Sequence, residues 1–336
     1  MHLKIAIIFN EPSPDRYGDM GESKAVVGVL EEVRPVHRAL TEQGHLVTKA
    51  PLCPPLELVE ERLRTLQVDL VFNIFEGFEG APETEAVVAG MMSDLKLPFT
   101  GNPPSTLALA LDKAKAKAIL EAGGISTPRY QTLSPETLEL FNLNFPCIVK
   151  PVGEDASHGL SEDSVVNNIE QLTKQVTEIS QHFKGTLVEE FLEGREFNVT
   201  VMGNGKLFVL PVAEMIYCLP PEMPQLLTFA AKWHRESVYY KGTKATCPAE
   251  IGERERELIS QIALSAFKLL GCRGYARVDM RLDSNGVPNV LEVNPNPDIS
   301  PGYGCARQAK AAGMTYNQFI EKIVMFALEE HSCAPA

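Results

Sequence analysis

No two cysteines in this chain are spaced as a metal or redox motif. The seven (Cys53, Cys147, Cys218, Cys247, Cys272, Cys305 and Cys333) are scattered, odd in number and free of any CxxC pair. That excludes a zinc site or a disulfide framework and fits reduced, mostly buried thiols. Basic runs are also absent, and the formal net charge is −13. Such a chain does not attract nucleic acid or an anionic membrane. No apolar run is long enough to span a bilayer. The first residues enter an apolar strand with no basic segment before it, so no signal peptide is expected and a cytoplasmic protein is the simplest reading. The loops that could hold a dinucleotide or a nucleotide phosphate carry neither GxGxxG nor a Walker A ending. Internal repeats and low-complexity segments are missing too.

What is present is an ordinary globular composition in 336 residues, long enough for two or three domains. Residues 1–101 alternate strand and helix. KIAIIF (4–9) is a continuous apolar run of the buried parallel type. The helix of 23–43 lines up Val26, Val27, Leu30, Val33, Val36 and Leu40, and Gly44 stops it. LVTKAPL (46–52), DLVFNIF (69–75) and PFTG (98–101) supply further strands, with helices near 56–66 and 83–95. This is an open, doubly wound α/β layer, whose ligands bind beyond the carboxyl ends of strands. The loops there, 10–23 and 76–83, are substrate-side loops in an enzyme and plain connections otherwise.

A second section, 102–193, contains a helix near 112–122 and the strand FPCIVKP (145–151). Lys150 lies inside that strand, where a lysine needs a partner. The loop 152–166 reads either as a phosphate cover or as a surface loop, and its acids Glu154 and Asp155 oppose a simple phosphate cradle. A helix spans 169–182. In TLVEEFL (186–192), Glu189 and Glu190 point to opposite faces; one can face solvent, while the other must meet a donor such as an adenine amino group, a backbone amide or a lysine.

The last section, 194–336, opens with a hairpin turning at Asn204-Gly205. Residues 217–248 read as irregular and locally basic, with Lys232, Trp233, His234, Arg235, Lys241 and Lys244. They are a lid over an anionic ligand or an ordinary mobile loop. A helix of 253–270 presents Leu258, Ile262, Ala266 and Leu269 on one face, and a final helix of 315–329 packs through Phe319, Ile323, Phe326 and Ala327. Between them lies a second hairpin, 275–300. If Asn285 and Gly286 form its two-residue turn, Ser284 faces Val287, Asp279 faces Glu292, and Arg277 faces Asn294. Arg277, Asp279, Glu292 and Asn294 then share one side, and Val278, Met280, Leu291 and Val293 share the other, toward a core. Facing carboxylates repel unless a cation lies between them. The set reads as a solvated polar face or as an oxygen-ligand site for Mg²⁺ with a nucleotide, and the latter is favoured.

Taken together, LPFTGNPPSTLALALDKAKAKAILEAGG (97–124), FPCIVKPVGEDASHG (145–159), LVEEFLEGREFNV (187–199), CPA (247–249), GCRGYARVDMRLDSNG (271–286) and VLEVNPNPDISP (290–301) resemble the ATP-grasp carboxylate–amine ligases, in the D-alanine–D-alanine ligase-like branch. The resemblance implies an ATP-grasp fold with a Rossmann-like pre-ATP-grasp domain (1–101), a first ATP-grasp half (102–193) and a second half carrying the metal and catalytic residues (194–336). It implies that Lys113 and Lys150 contact phosphate. Glu189 with the backbone of Glu190, Phe191 and Leu192 would form the adenine edge, and Glu196 would bind ribose. Lys232 would lie near the γ-phosphate, with Asp279, Glu292 and Asn294 as ligands of Mg²⁺ (or Mn²⁺) and Arg277 beside the acyl phosphate. ATP would activate a carboxylate as an acyl phosphate, which an amine then attacks. The implied partners are small amino-acid or peptide substrates, and since dimers are usual among these enzymes, a homodimer is the assembly suggested.

On the substrate side the chain departs from the family pattern. The early glutamate of the family has no clean match, with Glu11 and Glu22 as candidates. Glu76-Gly77 replaces a His-Gly, and Ala156 stands for a loop serine, with Ser157 retained beside it. Trp233 takes the place of a lid tyrosine, and Tyr303-Gly304 that of a serine–leucine pair holding a carboxylate. Arg307 is either a replacement for that pair or a surface arginine. A ligase for other amino-acid or peptide substrates therefore stands beside the D-alanine reading, and a non-catalytic ATP-binding regulator stands as a third reading.

Overall fold

The structure, a computed structural model, describes residues 2–11, 23–78, 80–154 and 160–333, with the side chains of 23–28, 233 and 330–333 left out. Glu22 and Ser157 lie outside the described residues. The first layer runs β1 (Lys4–Asn10), α1 (Ser23–Glu42), β2 (Leu46–Leu52), α2 (Leu56–Thr65), β3 (Leu70–Asn73) and α3 (Thr84–Asp94). Its sheet is parallel, in the order β2-β1-β3. β1 lies in the middle because its apolar run can be covered on both faces. The expected fourth strand at 98–101 is reduced to a single bridge between Phe99 and Val71.

Helices α4 (Pro104–Leu111) and α5 (Lys113–Ala122) follow, and the Asp112 side chain caps the second by accepting from the Lys115 N–H at 3.1 Å. Next come β4 (Tyr130–Leu133), β5 (Cys147–Pro151), β6 (Val165–Val166), α6 (Ile169–His182) and β7 (Thr186–Glu190), whose antiparallel sheet has the order β4-β7-β5-β6. This sheet and α6 enclose their own core around Val149, Leu172, Val176 and Val188. Although α5 precedes that sheet in sequence, its Ala116 and Leu120 pack into the core of the last section instead.

The last section holds β8 (Glu196–Gly203), β9 (Phe208–Val209), β10 (Ala213–Tyr217), α7 (Phe229–Trp233), α8 (Val238–Gly242), β11 (Thr243–Thr246), α9 (Glu253–Leu269), β12 (Gly274–Leu282), β13 (Pro288–Asn294), α10 (Gly304–Ala311) and α11 (Tyr316–Cys333). The sheet order is β11-β10-β8-β12-β13, with β9 pairing β8 beyond Asn204-Gly205. The stretch expected to be irregular thus carries two short helices and an edge strand. α9 packs through Ile259, Ala263, Ala266 and Phe267, while Leu258 and Leu269 are 45% and 39% exposed. Two apolar stripes overlap on this helix, and the one containing the bulky Phe267 buries more surface. α10 and α11 return to the first layer, where Cys305, Phe319 and Ile323 join Val33 and Val36 in one core.

Candidate active site

The β12–β13 hairpin shows how local geometry places the acids. Asp279 pairs with Glu292 and Arg277 with Asn294, the two expected pairs. The route to them differs from a two-residue turn. Asp283 N donates to Val287 O at 2.9 Å and Gly286 N to Asp283 O at 3.0 Å, so the loop is Ser284-Asn285-Gly286. Gly286 sits at φ +77°, the left-handed conformation that ends a three-residue hairpin loop. The register is therefore offset, with Met280 opposite Val290, and a bulge between Met280 and Asp279 restores it. Leu291 is the extra residue. It is half-buried and borders the cleft, where alternation placed it in the core.

That cleft lies between the two antiparallel sheets and takes lining residues from both. Arg277 grips Asp279 with two bonds, Nε to Oδ1 and Nη2 to Oδ2, each 2.7 Å. Burial would lower the Arg277 pKa, but the Asp279 carboxylate more than offsets this and raises it. Burial likewise pushes Glu292 up, yet Lys113, Lys150, Arg277 and Lys232 together hold it below the usual carboxylate range. Lys113 also donates through Nζ to Glu154 O. A patch this rich in cations beside two carboxylates suits a polyphosphate bound with a metal. Among the described residues no group of three or more His, Cys, Asp or Glu side chains is arranged for a metal. The donor set is the Asp279 and Glu292 carboxylates and the Asn294 amide oxygen, which fits an ion that takes its remaining ligands from phosphate and water.

At the other end, Glu189 is buried between Lys117 Nζ and Lys150 Nζ, each at 3.0 Å. Burial raises its pKa, but the two lysines win and the net shift is downward. Burial pushes Lys117 down to about 8, against the pull of Glu189, and its Nζ donates to Thr127 Oγ1 at 2.6 Å. Glu190 points the other way and accepts from Arg129 Nη1 at 2.9 Å and Asn144 Nδ2 at 2.8 Å. The Glu190 and Phe191 N–H groups are taken by Arg129 O and Pro146 O. Among the described residues none accepts from the Leu192 N–H, which remains available to a base edge. Glu196 borders the same end and accepts from Tyr217 Oη at 2.9 Å.

The structure thus brings Lys113, Lys150, Glu189, Glu190, Phe191, Leu192, Glu196, Lys232, Arg277, Asp279 and Glu292 to one cleft. Asn294 is half-buried next to it, and its Oδ1 accepts from Asn296 N at 2.9 Å. The substrate-side candidates are more dispersed. Glu11 is bonded by the Cys53 thiol in a separate surface groove. Glu76 is exposed, with its N–H on Asn10 Oδ1 at 3.0 Å. Tyr303 is exposed and takes the N-cap position before α10, and Arg307 turns back to Gly302 O at 2.6 Å. Trp233 ends α7. Sequence reasoning missed Lys117 and Arg281. Lys117 is one helical turn past Lys113, and Arg281 has the same strand parity as Arg277 and Asp279, so spacing alone could have found both.

A family model described as D-ala D-ala ligase C-terminus matches residues 119–325, more than half of the chain. The D-alanine–D-alanine ligase of Halalkalibacterium halodurans is 31% identical over 335 residues, covering 98% of this chain and 100% of that protein. The chain belongs to the D-alanine–D-alanine ligase family. Protein y4sG of Sinorhizobium fredii is 33% identical, with 93% of this chain and 88% of that one covered. The D-alanine–D-alanine ligase of Bacillus anthracis complexed with ATP matches in structure at a TM-score of 0.74 and 21% identity, covering 98% and 99% of the two chains. The VanG D-Ala:D-Ser ligase of Enterococcus faecalis matches at 0.71 and 21% identity, covering 97% and 100%. These likenesses show the ATP-grasp fold. As a member of the family, the chain is an ATP-dependent carbon–nitrogen ligase. Among the described residues no helix is long and apolar enough to cross a membrane.

Proposed function

We propose that this family member joins the carboxylate of one amino acid to the amine of a second amino acid or peptide, through an acyl phosphate, with Mg²⁺ and ATP. The observation that carries the reading is that Lys113, Lys150, Lys232 and Arg277 line one cleft together with Asp279 and Glu292. Phosphoryl transfer needs positioning and charge neutralisation more than covalent assistance. In this reading Asp279, Glu292 and the Asn294 amide hold Mg²⁺, which when bound neutralises phosphate oxygens. The carboxylate oxygen of the substrate takes the γ-phosphoryl group and ADP leaves. Lys113, Lys150 and Lys232 hold the phosphates, and Arg277 stabilises charge as the amine displaces phosphate from the carbonyl. The lid from α7 to β11 keeps water from the acyl phosphate. Tyr303 and Gly304 depart from the family pattern where the second carboxylate binds, which points to substrates beyond D-alanine alone. A cytoplasmic homodimer completes the proposal.

Phosphate release is measured with ATP, Mg²⁺ and separate pools of D- and L-amino acids. Release dependent on an amino-acid pool, with a dipeptide formed, is the expected result. D-alanine as the sole active substrate would return the assignment to the named activity of the relatives. Tight ATP binding with no release in any pool would overturn the ligase proposal.

A further inference from the structure

Arg281 is a guanidinium in a place where the fold needs none. It borders the nucleotide end of the cleft with its side chain only 3% exposed. Its Nε donates to Gly194 O at 3.0 Å. That contact exists because residue 194 is glycine, since a Cβ there would lie 2.3 Å from Leu282 O. The guanidinium lies 4.8 Å from the centre of the Phe191 ring and 5.8 Å from that of Tyr217, within cation–π reach of both. Nη2 is sealed from solvent and meets no acceptor. A buried charge with an unmade hydrogen bond is costly, and an apolar side chain of similar length would pack here without that cost. With Nε bonded and Nη2 sealed, Nη1 is the nitrogen left for the cleft. It stands 3.7 Å from Glu196 Oε2, too far for a direct bond. The same oxygen already accepts from Tyr217 Oη at 2.9 Å.

We propose that Arg281, braced by Tyr217 and Phe191, works with Glu196 as a donor–acceptor pair that reads a ribose hydroxyl of the nucleotide. A hydroxyl both donates one hydrogen bond and accepts others, whereas a carboxylate only accepts. Glu196 alone satisfies half of that capacity. Arg281 Nη1 supplies the missing donor, and the hydroxyl fills a gap that the two side chains cannot close by themselves. The inference rests on ATP as the nucleotide and adds the residue that selects a ribonucleotide over a deoxynucleotide.

The test is direct binding of ATP, 2′-deoxy-ATP and 3′-deoxy-ATP to the wild-type chain, to Arg281→Met and to Arg281→Lys. The wild type should bind at least one deoxynucleotide about tenfold or more weakly, because the analogue leaves buried groups unpaired. Arg281→Met should bind ATP about tenfold more weakly and distinguish the three by less than about threefold, and Arg281→Lys should recover part of the discrimination. In turnover, Arg281→Met should raise KM for ATP and leave kcat within about twofold. Equal binding of all three nucleotides by the wild type overturns the inference without touching the ligase reading, and that comparison needs no variant to fold. An unchanged deoxy-to-ribo ratio in Arg281→Met overturns it as well. A wild-type chain that binds no ATP removes both this inference and the ligase reading.

Discussion

Asp279 and Glu292 face each other across one strand pair, and only cations keep that arrangement from repelling itself. Asp279→Asn and Glu292→Gln keep the shape and remove one charge each. Either should cut turnover by at least about a hundredfold while the chain still folds, as circular dichroism would show. Full activity in either variant would remove the metal assignment. Lys117 offers a second test, by pH. Its pKa is near 8 against an ordinary 10.5, so between those values the unfolded chain binds more protons than the folded one. Stability therefore rises with pH across that window as the cost of the buried charge is relieved. Urea midpoints from pH 7.5 to 10.5 should show the wild type gaining on Lys117→Met, by roughly 1–3 kcal/mol. A flat difference would mean that Lys117 is an ordinary charged lysine.

At the scale of the element, the hairpin is the sharpest test of how sequence becomes site. Val293 is buried in the core beneath the sheet, whereas Leu291, two residues earlier, borders the cleft. Strict alternation would make the two equivalent, and the bulge makes them different. Val293→Ala should cost about 1–3 kcal/mol by chemical denaturation, with nucleotide affinity preserved in the folded fraction. Leu291→Ala should cost less than about 1 kcal/mol but weaken ATP binding several-fold, because it removes a wall of the cleft. Equal stability losses would indicate that the bulge is absent. Both cross-strand pairs could be read from alternation and the Asn-Gly signal, but the loop length and the bulge could not. One shifts the register by a residue and the other shifts it back, and local sequence carries no mark of either. The same limit applies to α9, where two apolar stripes overlap and the neighbours on the sheet decide which is buried.

At the scale of the whole molecule, the first layer and the last sheet are tied through amides. Asn102 is buried and donates to Tyr275 O at 2.8 Å and Pro295 O at 2.6 Å, while its Oδ1 accepts from Arg273 N at 2.8 Å. Asn296 reaches across to Phe75 O at 3.1 Å and Glu85 Oε1 at 2.7 Å. Asn102→Ala would strand three backbone groups beside the strand that carries Arg277 and Asp279. It should cost about 2–3 kcal/mol and lower turnover together with stability, as thermal unfolding and phosphate release in parallel would show. A loss of stability with turnover intact would mean that this tie does not position the site.

The sequence by itself determined the parallel first layer and the facing pairs of the last hairpin, while the two ATP-grasp halves and the other cleft residues were implied by the family resemblance. Apolar periodicity, strand parity and glycine punctuation are properties of neighbours along the chain. Tertiary structure alone decided the rest. Glu189 is a buried acid because Lys117 and Lys150 arrive from different elements, and α5 serves the core of a sheet it does not adjoin in sequence. The substrate-side candidates Glu11, Glu76, Tyr303 and Arg307 hold places that spacing could not assign. Burial and charge pairing depend on what meets across the fold, and no window of residues contains both partners.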